Sequence, residues 1–96
     1  MLIRSQNKEV LVLLETLLSI EASGGVISAR RDMSWCCLLG EYSTKAKAMK
    51  VLDMVQEAYS EYQIMLNFSV SYLHEFKEKT DEFAIFQMPE DSEVEA

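Results

Sequence analysis

Two adjacent thiols, Cys36 and Cys37, a single imidazole, His74, and a charged run from Lys45 to Glu61 are the side chains whose types and spacing could carry chemistry. The thiols fall in an apolar stretch that reads as a strand, where successive side chains point to opposite faces. A disulfide between neighbours would be strained, and one pair is too few for a four-ligand zinc site. The expectation is two free thiols, one buried and one half-exposed. His74 has Glu75 and Glu78 nearby. A helix would place His74 and Glu78 on one face, but zinc asks for three or four ligands with His or Cys dominant. A Ser/His/Asp triad would have to use the same His74, and no Gly-x-Ser-x-Gly elbow accompanies it. The three glycines form neither a phosphate loop nor a dinucleotide fingerprint. A small enzyme around His74 is therefore the weakest reading. The expectation is a non-catalytic protein with no catalytic residue, cofactor or metal site.

The charged run offers more. Lys45, Lys47 and Lys50 crowd the start of an amphipathic segment, and Asp53, Glu57 and Glu61 follow one turn apart on its polar side. This order opposes the helix macrodipole. These six residues are the candidate interaction surface, set against the simpler reading of a solvated helix face. A second candidate is a basic patch of Arg4, Arg30 and Arg31, which with Lys45 and Lys47 would serve a nucleic-acid binder. The formal net charge of −7 works against that use, because nucleic-acid affinity rests on cations neutralising phosphates. Four of the acids, Glu90, Asp91, Glu93 and Glu95, lie past Pro89, so the remainder carries only −3.

These groups need elements to hold them. A chain of 96 residues, 49% hydrophobic and 26% charged, makes one globular domain with a core of limited size. Residues 1–6 read as a strand and 6–8 as a turn. Residues 10–22 fit either a helix, with leucines at 11, 14, 17 and 18, or two short strands at 10–13 and 19–22; periodicity does not separate them. The run Ser23-Gly24-Gly25 is a turn, 26–30 a strand, 31–33 a turn and 34–42 a strand. Ser43 or Thr44 can cap the helix that follows, which sets Ala48, Val51, Leu52, Val55, Ala58, Tyr59 and Tyr62 on one face. Residues 63–80 read as a helical or irregular excursion, and 82–88 as a last strand ended by Pro89. Residues 1–89 form the expected domain; 90–96 form an acidic tail expected to be disordered. Tyr59, Tyr62, Tyr72 and Phe76 widen the apolar stripe beyond what one small sheet can cover, which points to a homodimer. No stretch reaches the ~20 apolar residues of a membrane span. The start does not look like a signal peptide, so the expected location is cytoplasmic, with reduced thiols.

Three segments carry a resemblance. Met1-Leu2-Ile3-Arg4-Ser5-Gln6, then Leu39-Gly40-Glu41-Tyr42-Ser43-Thr44-Lys45 with Val51-Leu52-Asp53-Met54, and Phe86-Gln87-Met88-Pro89-Glu90-Asp91-Ser92-Glu93 resemble a group of small uncharacterised proteins. Those proteins occur in Firmicutes and in their phages and integrated elements. The resemblance implies a β-meander, one helix and a last strand ending in a Met-Pro turn, and it favours strands over a helix in 10–22. It implies no activity and transfers no functional residue. The reading is an α+β domain, a small antiparallel meander of about five strands packed by one main helix, with a second short helix in 63–80. Its expected role is protein interaction, with an unidentified protein partner or a second copy, and the resemblance implies that of a phage or mobile-element accessory.

Overall fold

The computed structural model describes residues 1–67 and 85–95. The protein is α+β, as expected. Among the described residues its strands are β1 (Leu2–Arg4), β2 (Leu11–Leu13), β3 (Ser19–Ser23), β4 (Val26–Arg30), β5 (Cys36–Glu41) and β6 (Ile85–Gln87), with one long helix, α1 (Lys45–Asn67), between β5 and β6. The strands do not make one meander. They form two three-stranded sheets, ordered β2-β1-β6 and β3-β4-β5. The second sheet is antiparallel throughout. In the first, β6 pairs with β1 in parallel, Leu2 beside Ile85 and Arg4 beside Gln87. That pairing departs from the antiparallel expectation, since local pattern marks a strand but not its neighbour.

Residues 10–22 are strands, joined by a 3-10 turn at Leu14–Thr16. Pairing across the chain settles what periodicity leaves open, because Ser19 to Ser23 match Arg30 to Val26 residue for residue. The two-residue loop of that hairpin is Gly24-Gly25. Gly24 has a positive φ of 61°, as the first central position of a II′ turn requires. Gly25 is needed for a different reason: its carbonyl accepts the Tyr42 N–H at 2.7 Å, so the two backbones lie in contact.

The core lies where the two sheets and the helix meet. Ile27 and Ala29 alternate inward on β4 and are fully buried, with Ala22 and Ile20 beside them on β3. Ala48, Val51 and Val55 of α1 are buried, and α1 packs over β3 and β4. On β5 the register slips opposite Ile27 and Ser28, so Leu39 is the extra residue of a bulge. That bulge turns Leu39 into the core, where it is 1% exposed. From the first sheet come Ile3 and Val12, which join the same cluster together with Met88 and Val94.

A methyl group on Gly25 would run into the Tyr42 carbonyl oxygen, while Gly24 has open space around it. Gly25→Ala should therefore cost about 1–3 kcal/mol or more, as forced overpacking does. Gly24→Ala should cost only its left-handed backbone strain, about 1–2 kcal/mol. Urea melts of both variants would rank them, and the order should be Gly25 above Gly24.

Candidate functional site

The chain leaves β5 through Tyr42, Ser43 and Thr44 and enters α1 there. The cap is Thr44: its Oγ1 accepts the Lys47 N–H at 3.1 Å. Behind the cap lies the C-terminal segment. Asp91 Oδ1 accepts the Ser43 N–H at 2.7 Å, and Lys47 Nζ donates to the Asp91 carbonyl at 3.0 Å and to Oδ2 at 3.5 Å. The lysine-rich first turn thus has a carboxylate at its foot, on the side the macrodipole favours. The Ser43 N–H holds the Asp91 carboxyl below its ordinary value of 3.8, with Lys47 adding to the effect against partial burial.

The segment expected to be a disordered tail is built into the fold through residue 95. Asp91–Glu93 is a 3-10 turn closed by a reciprocal capping box between Glu90 and Glu93. Val94 is 4% exposed. One acid bonded to the Ser43 N–H and Lys47, and one apolar residue reaching the core, give this strap partners that its composition does not advertise. Ahead of it, Pro89 is buried. Its carbonyl accepts the Tyr42 hydroxyl at 2.8 Å and Gln6 Nε2 at 3.2 Å. Burial, and behind it the charges of Glu90, Asp91 and Glu93, push the Tyr42 hydroxyl up to about 12. Between strap and helix runs a cleft of about 400 Å³, lined by Lys50, Met54, Glu93, Val94 and Glu95.

The candidate surface on α1 is therefore divided. Lys45, Asp53, Glu57 and Glu61 are exposed, Lys47 is half-buried against Asp91, and Lys50 is exposed at the cleft. Each of the three basic-patch residues has a partner within the chain. Arg4, on β1, donates from Nε to the Lys8 carbonyl at 3.0 Å. Arg30, on β4, pairs with Glu21 at 3.0 Å, and Arg31 stacks 4.8 Å from the centre of the Trp35 ring. Cys36 is exposed and Cys37 half-buried, both free, on the opposite faces that their adjacency on β5 requires. His74, Glu75 and Glu78, with the excursion from 68 onward, lie outside the described residues. Among the described residues no group of three or more His, Cys, Asp or Glu side chains is placed to hold a metal ion. Nor is any described helix long and apolar enough to cross a membrane.

The structure adds a surface that the residue pattern did not single out. On β1, Ile3 points inward, so Leu2 and Arg4 point out. Their cross-strand partners share that face: Leu13, Leu2 and Ile85 form one row, and Leu11, Arg4 and Gln87 the next. Leu11 is 53% exposed, Leu13 43% and Ile85 46%. The signal was the unbroken apolar run at 10–14, since a strand with apolar residues at every position must offer both faces. Comparison with protein-family models, with curated proteins and with solved structures finds no match for the chain.

Two titrations test the strap. The folded Asp91 value is depressed, so its stabilisation is present above about pH 3.8 and lost as pH falls through the folded value. Asp91→Asn should lower the melting temperature at neutral pH, and the gap from wild type should close on acidification. Tyr42 is the opposite case: its folded value is raised, so stability holds below pH 10 and falls as pH rises towards about 12. Tyr42→Phe should cost about 1 kcal/mol near neutrality, the net worth of one hydrogen bond. It should also remove this hydroxyl's share of the alkaline loss, as thermal melts across that range would show.

Proposed function

We propose that the chain is a non-catalytic protein-interaction module that pairs with a second copy of itself through the outer face of the β2-β1-β6 sheet. The observation that carries this reading is the apolar row of Leu13, half-buried Leu2 and Ile85, exposed at both ends and continued by exposed Leu11. A two-fold axis lying in the plane of this face and running across the strands brings two copies together on the same patch, which is the geometry of an isologous dimer. The charges support the same arrangement. Arg4 is the one charged residue in the two rows and stands at the end of β1. Glu15, bound to the Met1 amine at 2.7 Å, stands just past Leu13 near the other end. A two-fold pairing turns Arg4 of each copy towards the Glu15 end of its partner.

Three short strands make a small contact, at the low end of specific interfaces. The dimer should therefore be reversible and concentration-dependent. The resemblance to proteins of phages and integrated elements adds to this reading an accessory role in a mobile element, within the cytoplasm. Nucleic acid is set aside as a partner because Arg30 and Arg31 are engaged within the chain and the net charge is −7.

Light scattering across a concentration series tests the dimer. Wild type should rise from monomer towards dimer mass, and the Leu11→Lys/Leu13→Lys variant should stay monomeric with an unchanged circular dichroism spectrum. A wild type that is monomeric at every concentration refutes the reading, as does a variant that still dimerises.

A further inference from the structure

The strap does not fill the space it spans. Val94 is buried, yet beside it an open cleft of about 400 Å³ lies between the strap and α1. The helix wall presents Met54, a side chain that adapts to irregular partners, and Lys50, a cation at the rim. The other wall is the strap, through Glu93, Val94 and Glu95. Its hold has two main points. Asp91 engages the Ser43 N–H and Lys47, and Val94 sits in the core three residues later. The ion pair is partly exposed, with 20% of the Lys47 side chain and 41% of the Asp91 side chain open to solvent, and such pairs are worth little singly. Met88 and Pro89 just before it are buried. The segment is thus anchored at its start by two buried residues and beyond it by the Asp91 contacts and one buried valine.

We infer that the groove on the first turns of α1 in which the strap lies, widened by the cleft beside Val94, is a docking site for a segment of another protein. That segment carries a carboxylate followed, three residues on, by an apolar side chain larger than valine. The strap itself is the template. Asp91 shows what the Ser43 N–H and Lys47 accept, Val94 shows where the apolar side chain enters, and the cleft shows room for a bulkier one. The strap occupies the groove as an internal competitor at an effective concentration on the order of millimolar, and a segment that fills the cleft displaces it. This surface is separate from the sheet face and its use does not depend on self-association.

The test uses the full chain and a labelled peptide of residues 88–96 bearing Val94→Leu, read by fluorescence anisotropy. Wild type should bind it weakly. The Asp91→Ala/Val94→Ser chain, whose own strap is loosened, should bind it at least tenfold more tightly, and adding Lys47→Glu should abolish that gain. Asp91→Ala alone keeps the buried valine and should give a smaller gain; it decides the matter if the double variant does not fold. Equal binding to wild type and to a folded loosened chain, or none to either, overturns the inference.

Discussion

One carbonyl, that of Pro89, ties the two sheets of this fold together. The Pro89 oxygen accepts from the Tyr42 hydroxyl and from Gln6 Nε2. Proline has no N–H, so this oxygen is its only backbone polar group, and a buried one must be paired. The two donors come from different places: Gln6 follows β1 of one sheet, and Tyr42 follows β5 of the other. Gln6 does more than donate. Its Oε1 accepts the Glu41 N–H at 2.9 Å and its Nε2 donates to the Glu41 carbonyl at 3.0 Å. A side-chain amide thus stands where a neighbouring strand's peptide would, while the Gln6 N–H reaches the Leu39 carbonyl at 2.7 Å. The C-terminal end of the β5 edge is closed and the two sheets are joined by the same residue.

That junction also explains the helix. Tyr42 is tied to Gly25 through its backbone and to Pro89 through its ring, so the chain enters α1 from a fixed point. The strap emerging from Pro89 then lies against the same end of the helix. A first turn of lysines looks unfavourable in isolation; with Asp91 beneath it, Lys47 has a partner and the Ser43 amide has an acceptor. The charge order along α1 and the acidity of the C-terminal segment are two halves of one arrangement. Of the six helix residues, Lys47 alone is drawn into contact with the C-terminal segment, through Asp91, while Lys45, Lys50, Asp53, Glu57 and Glu61 stay exposed.

Local signals in the chain were readable where local physics decides. Gly24-Gly25 marked a hairpin because few other residues accept that turn, and Val26–Arg30 was legible from its apolar alternation. The start of α1 was legible because a hydroxyl before an amphipathic run is a cap, although choosing Thr44 over Ser43 needed the geometry. The helix runs to Asn67, past the expected end near Tyr62, because its later turns bury no residue fully and leave no clear stop in the pattern. Residues 90–95 were misread for a related reason: four acids in seven residues resemble a solvated tail, and nothing nearby in the sequence reveals that Asp91 meets Ser43 and Lys47.

Composition, periodicity and turn chemistry were enough to establish the class of the domain, its β4–β5 hairpin and the core-facing stripe of α1, because those depend on residues a few positions apart. The parallel pairing of β6 with β1, the division into two sheets, the Gln6–Tyr42–Pro89 junction and the seating of the strap join residues 35 to 83 positions apart. Such contacts leave no period in the chain. They are selected by which buried donors and acceptors can be satisfied together once the core has closed.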